Sequence, residues 1–304
     1  MQQREVAHGD RFRFGENWRA FLSTVDDQRV QQAACSLQEM LRMESLEGVT
    51  MLDIGCGSGL FSLAAVLLGA SRVHSFDVDP ASVGCALELK RHYVPDSEWR
   101  IEQGSALDRE YVASLGSFDL VYAWGVLHHT GDMYAALSNA ALPVSAGGRL
   151  FISIYNDQGW RSSLWRRVKR TYNSLPAFLR APFVAIVMGP WELRSALAAT
   201  ARGDPQAYVR RWTQYRRSRG MSQWHDHVDW CGGYPFEVAS PEQIFDFFRS
   251  RGFVLERLKT AGRGWGCNEF VFTREDAARA ANGHGAVVAN PRTAAEIEAT
   301  ASDE

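Results

Sequence analysis

The sequence predicts an α/β protein with a doubly wound, seven-stranded, mainly parallel sheet, an N-terminal helical lid and a helical insert after the fifth strand. Three observations predict it. Short apolar runs alternate with helical stretches from Val49 to Tyr155; a glycine-rich turn lies between the first of those strands and the first of those helices; and the alternation stops at Asn156, to resume at Ser240. Strands alternating with helices imply parallel pairing through right-handed crossovers.

Taken in order, Val30, Ala33, Ala34, Leu37, Met40 and Leu41 recur at three- and four-residue spacing, the mark of one helical face. Before them Phe12, Phe14, Trp18 and Phe21 form an aromatic cluster in a polar stretch, which reads either as packing on the core or as a lid over a ligand. Strands are expected at 49–54, 72–76, 99–102, 118–123 and 149–155, and helices at 60–68, 81–92, 108–115 and 133–142. Asp108 and Asp119 are expected to cap or begin elements. Ser240-Pro241-Glu242-Gln243 offers an N-cap, a proline at the first helical position and a capping-box glutamine, for a helix running to Arg251 before Gly252. Two strands, 253–259 and 268–273, follow. The expected organisation is a lid (1–47), a core (48–155), an insert (156–239), the end of the core (240–274) and a disordered tail (275–304), too poor in large apolar residues to pack.

A chain of 304 residues, 46% of them hydrophobic, can bury a sizeable core. The formal net charge of −2 gives no global reason to expect a nucleic-acid or membrane partner. Five widely spaced cysteines, without a C-x-x-C pair, suit reduced thiols, and no metal-ligand rhythm is present. The N-terminus lacks an export pattern and no stretch is long and apolar enough to span a membrane, so a cytoplasmic location is expected. Oligomeric state is not legible.

Asp53-Ile54-Gly55-Cys56-Gly57-Ser58-Gly59 follows a strand and opens a helix, the context in which a glycine pattern signals a bound cofactor. Alone, the pattern suits a dinucleotide almost as well. Four features in order resemble the class I S-adenosylmethionine (SAM) dependent methyltransferases, whose fold is Rossmann-like: Asp53 before Gly55, Gly57 and Gly59; Phe76-Asp77-Val78-Asp79-Pro80 ending the second strand; Gln103-Gly104-Ser105-Ala106 ending the third; and Phe118-Asp119-Leu120-Val121-Tyr122-Ala123-Trp124 with its following loop. The resemblance implies SAM as cofactor, Asp53 toward the ammonium of its methionine end and Asp77 on both ribose hydroxyls. Ser105 stands where the family commonly has the Asp that contacts the adenine amine, so that contact passes to the backbone around Ala106. Phe14, Trp18 and Trp124 complete the expected cofactor site.

A sulfonium methyl donor needs an aligned nucleophile and exclusion of water, and no covalent intermediate. Where the acceptor is a phenol or ammonium, His128 and His129 are the expected bases; a thioether needs none. A small-molecule acceptor is expected against Tyr155, Asn156, Trp224, His225, His227, Trp230 and Tyr234. His225-Asp226-His227 lacks the further ligands of a zinc site, so no metal is expected. The Trp-His-Asp and Gly-Tyr-Pro-Phe-Glu-Val-Ala pattern, with Phe14-Gly15-Glu16-Asn17-Trp18, resembles bacterial ubiquinone-type methyltransferases and, less specifically, methionine S-methyltransferases. The arginine-rich insert also admits RNA methylation or binding to anionic lipid. Nucleic acid is disfavoured by the near-neutral total and the lack of an RNA-binding module. A non-catalytic SAM-binding protein is the remaining alternative.

Overall fold

Seven strands are found among the described residues of the computed structural model, which are 25–219, 223–262 and 266–276. They are β1 (Thr50–Ile54), β2 (Arg72–Asp77), β3 (Trp99–Gln103), β4 (Phe118–Trp124), β5 (Val144–Tyr155), β6 (Phe253–Lys259) and β7 (Cys267–Arg274). The sheet order is β3-β2-β1-β4-β5-β7-β6, parallel from β3 to β5, with β7 antiparallel to both β5 and β6. Strand order reverses between β1 and β4, which opens a crevice beyond their carboxyl ends, the place where such sheets hold ligands.

The helices are α1 (Asp27–Leu41), α2 (Leu60–Leu67), α3 (Pro80–Tyr93), α4 (Arg109–Ser114), α5 (Met133–Ala140), α6 (Trp160–Ser174), α7 (Ala177–Ala201), α8 (Gln206–Arg219), α9 (Gln223–Gly232) and α10 (Pro241–Arg249). On one face of the sheet Val30, Leu37 and Met40 of α1 join Leu63 of α2 over Met51, Val73 and Phe151. On the other, Ile244 and Phe248 of α10 join Leu137 of α5 over Leu52, Val121, Ile152 and Phe272. The alternation of these strand residues between two apolar layers is why the strands read as nearly continuous apolar runs.

Local chemistry fixes the element ends as the sequence leads one to expect. Asp108 accepts from the Tyr111 amide to cap α4, and the Ser240–Gln243 capping box is complete. The Asp119 carboxylate accepts from both the amide and the hydroxyl of Thr50, tying β4 to β1 at their starts. Two bounds differ. The helix expected to reach Arg251 stops at Arg249 and unwinds through Ser250 and Arg251 to Gly252, whose φ is +76°. β5 starts at Val144, earlier than the apolar run, because Phe118 pairs with Val144 before the register shifts. The insert is helical, as expected, and α9 makes a helix of the segment from Gln223 to Gly232. The aromatic cluster at 12–21, with Phe14 and Trp18, and the tail beyond Asp276 lie outside the described residues.

Phe248 is fully buried, with ring centroids 4.7 Å from Phe272 and 5.5 Å from Phe253. Phe248→Ala should destabilise the fold by about 3–5 kcal/mol, read as a lowered midpoint in urea unfolding at an unchanged m-value.

Candidate active site

The glycine turn is bolted to the end of β2. Gly55 and Cys56 both donate their amides to the Phe76 carbonyl, and Gly57 donates to the Asp77 carboxylate at 3.0 Å, whose second oxygen accepts from the Asp79 amide at 2.9 Å. Asp77 is thereby aimed along the edge of the turn. Gly55 has φ +71°, and a Cβ there would meet Val126 Cγ1 at 2.4 Å; at Gly59, φ +81°, a Cβ would meet Ala86 at 2.7 Å. Gly59 therefore serves the approach of α3 to α2, and Gly55 leaves the turn pressed against the loop after β4.

Asp53 ends up shut inside. Only 2% exposed, its carboxylate accepts from the Ser62 hydroxyl at 2.5 Å. Ser62 lies 2.7 Å from the Ser75 hydroxyl, which accepts from the Trp99 indole N–H at 2.7 Å. The indole can only donate, so the proton order runs Trp99 to Ser75 to Ser62 to Asp53, one residue each from β3, β2, α2 and β1. Burial pushes the Asp53 carboxyl up to about 7, opposed by the Ser62 hydrogen bond and assisted by the nearby Asp77 charge. A buried acid poised in this way fits a cationic ligand group, since a cation beside it would restore the ionised form. Ser62, Ser75 and Trp99 were not legible as site residues; the one sequence signal is the lone serine in the otherwise apolar segment Leu60–Leu67.

Ser105 spends its side chain on its own turn, accepting from the Leu107 amide. Ala106 is buried, and its carbonyl accepts from Asn139 of α5 at 2.9 Å. Trp124, at the end of β4, is substantially exposed.

Beyond β4, His128 and His129 occupy a short turn fastened by one residue of the returning chain. Glu237 donates its amide to the His128 carbonyl, and its carboxylate accepts from the amides of Gly131 and Met133. His129 Nδ1 lies 2.6 Å from the Pro235 carbonyl, an acceptor only, which assigns the proton to Nδ1 and leaves Nε2 as the basic nitrogen. His128 is almost fully buried, and neither ring nitrogen makes a hydrogen bond of good geometry, although the Ser153 backbone beside it partly offsets burial. Burial and the neighbouring His129 hold its pKa well below the ordinary imidazole value, so it is neutral.

Tyr155 joins this turn to the insert. Its ring centroid is 4.2 Å from His128, 5.4 Å from His129, 5.2 Å from Phe236 and 6.1 Å from Trp230. Behind them Lys169, which burial pushes down to about 8, donates to the Trp230 carbonyl and lies over both the Trp230 and Phe236 rings. Phe236 and Lys169 were missed because each meets Tyr155's neighbours only through long-range folding.

The other expected acceptor residues have their own settings. Asn156 uses its side-chain amide on the Gly262 carbonyl and its oxygen on Asn268, bracing the β6–β7 hairpin. His227 pairs with Glu192 at 3.1 Å and packs beside Trp212, so it engages α7 and α8. Trp224 is exposed on α9, and His225 shares that helix, its side chain outside the description. Tyr234 is half-buried, next to the Pro235 that binds His129. Among the described residues no group of three or more His, Cys, Asp or Glu could hold a metal ion.

Comparison with known proteins agrees with the glycine turn and its two carboxylates. Residues 52–150 match the family described as "Methyltransferase domain". A "Ubiquinone biosynthesis O-methyltransferase" of Methylobacterium sp. (strain 4-46) is 31% identical over 129 residues, 42% of this chain and 50% of that protein. A "Ribosomal protein L11 methyltransferase" of Methylococcus capsulatus (strain Bath) is 45% identical over 53 residues, 17% of this chain and 18% of that protein. The chain thus spans half or less of the length of these curated relatives. Among solved structures, magnesium protoporphyrin IX methyltransferase from Synechocystis PCC 6803 with bound SAH aligns at a TM-score of 0.48 and 16% identity, over 81% of this chain and 83% of that one.

Ser62→Ala removes the donor that holds the Asp53 carboxylate, so the Asp53 titration should move above 7, as read by carboxyl ¹³C chemical shifts. Because the folded value lies above the ordinary 3.8, Asp53 contributes stability that is full below 3.8 and is lost as pH rises through about 7. In the variant that loss should shift to higher pH. An unchanged titration would mean that Ser62 does not hold the carboxylate.

Proposed function

From the match of residues 52–150 to a methyltransferase domain, we infer that this chain is a class I SAM-dependent methyltransferase that transfers a methyl group to a small-molecule acceptor by direct in-line displacement. The observation that carries this is the pair of carboxylates, Asp53 and Asp77, at the ends of two adjacent parallel strands with the glycine turn between them. Their chemistry suits SAM: an acid without a cation for the amino group, and a carboxylate on the turn's edge for the two ribose hydroxyls. SAM supplies a sulfonium methyl that is already reactive. The chain's own task is then to orient the acceptor, exclude water and take a proton.

His129 is the group we assign to that proton. Its Nδ1–H is committed to Pro235, which puts the basic lone pair on Nε2; the Tyr155 ring lies beside His129, and Trp230 and Phe236 pack in turn on Tyr155. Such a wall suits an aromatic acceptor, and a base suits a nucleophile that must lose a proton; a phenolic oxygen meets both conditions. The O-methyltransferase relative agrees with this choice. An amino-acid amine would also use the base. A thioether, as in methionine S-methylation, would not, and His129 would then be dispensable.

Incubation with tritiated SAM and, separately, a small-metabolite pool, tRNA and ribosomal protein tests the acceptor class, and the product mass identifies the atom. Label entering only tRNA or protein would overturn the small-molecule reading, and SAM binding without any transfer would leave a binding protein. Asp77→Ala should weaken SAM and its demethylated product alike, by about 1.5–3 kcal/mol in calorimetry, since both keep the ribose hydroxyls. Because Asp53 must ionise to receive a cation, SAM affinity should fall below about pH 7, by up to about tenfold per pH unit. His129→Ala should lower single-turnover methylation by about 10²–10⁴-fold at unchanged SAM affinity. Wild-type turnover in that variant would point to a thioether acceptor.

A further inference from the structure

We propose that the outer face of α7 is a docking surface for an anionic lipid bilayer. The helix buries Val184 and Ala199 against the rest of the insert, and the face turned away from them carries Phe178, Pro182, Ile186, Leu193 and Leu197 at four- and seven-residue intervals. All five are exposed: Phe178 76%, Ile186 74%, Leu193 62% and Leu197 60%, with Pro182 in the same class. A surface helix in water turns polar residues outward; this one is apolar on its outer side from Phe178 to Leu197, about 29 Å at 1.5 Å per residue. Its single acid, Glu192, is turned inward, paired with Arg211, His227, Trp212 and Gln223.

Charge decides the occupant. Several of the insert's cations are used internally: Arg166 on the Phe236 carbonyl, Lys169 on Trp230, Arg180 on Leu175, Arg210 on Asp204 and Arg211 on Glu192. Arg161, Arg167, Arg170, Arg194 and Arg202 are exposed, and Arg161 and Arg194 lie over the rings of Trp160 and Trp191, themselves 71% and 54% exposed. Aliphatic side chains with surface arginines and tryptophans are what an anionic headgroup layer over an acyl boundary accepts. A second copy would bring like charges together, and isoleucine and leucine offer nothing for bases to stack on, as RNA requires. Among the described residues no helix is long and apolar enough to cross a membrane, so the contact is made at the surface.

Flotation of the full-length chain with phosphatidylglycerol vesicles and with phosphatidylcholine vesicles tests this. The chain should rise with the first and far less with the second. Ile186→Glu and Leu193→Glu should each cut the bound fraction about tenfold, and Ile186→Leu should restore it, at unchanged melting temperature, since both sites are exposed. Arg194→Glu should weaken binding to phosphatidylglycerol alone. Absence of flotation, or wild-type flotation of both glutamate variants, overturns the proposal. So does a dimer in light scattering that Ile186→Glu splits, or tRNA binding lost in Arg194→Glu and kept in Ile186→Glu. SAM affinity, measured on the same variants, should not change, so docking and methyl transfer succeed or fail separately.

Discussion

A carboxylate buried with a single strong donor constrains everything around it. Asp53 can occupy the end of β1 because Ser62, Ser75 and Trp99 hand it a hydrogen bond through an unbroken chain of donors. That chain requires β1, β2 and β3 in register, with Asp53 beside Ser75, and α2 starting right after the turn so that Ser62 faces inward. The left-handed glycines allow that abrupt start. Removing any link leaves a buried polar group unpaired, which costs more than the bond itself returns when made. The crevice beyond β1 thus stands on a network spread over three strands and a helix.

The second half of the site depends on a different device. The chain leaves β5 at Tyr155, makes the helical insert, and comes back beside its departure point, where Ala239 donates to the Tyr155 carbonyl and Asp157 to the Ala239 carbonyl. Glu237 then grips the histidine turn from above with three hydrogen bonds. An excursion of some eighty residues is closed by a handful of backbone contacts, and loop-closure entropy, which grows only logarithmically with length, allows it. The aromatic cluster beside the histidine turn is accordingly built from two places in the chain, the end of β5 and the end of the insert.

This difference explains what could be read in the sequence. The cofactor half is local: strand, turn and helix follow one another within a few residues, so Asp53, Gly55, Gly57, Gly59 and Asp77 are visible as a pattern, and so were the strands that carry them. The capping box at Ser240 is legible for the same reason. Phe236, Lys169 and Pro235 reach the site from the far side of the insert, and only the fold tells that they meet Tyr155 and His129. His227 shows the converse. Its setting among tryptophans and acids reads as a pocket wall, yet its partner is Glu192, thirty-five positions away, which no local pattern announces.

Charge in the insert follows the same logic one level up. Composition gives thirteen lysines and arginines between Asn156 and Ser240 and leaves their purpose open among RNA, lipid and a solvated face. Among those whose side chains the structure describes, some satisfy backbone carbonyls or carboxylates and others are exposed. The insert that carries the exposed cations also carries an exposed aliphatic stripe, and the stripe carries more information than the charge. Arginines alone suit any polyanion. An apolar face of this length is costly in water, and burial against an apolar partner offsets that cost. A chain that docks on a bilayer through that face would hold its site within reach of an acceptor dissolved in lipid, which a soluble acceptor would not require.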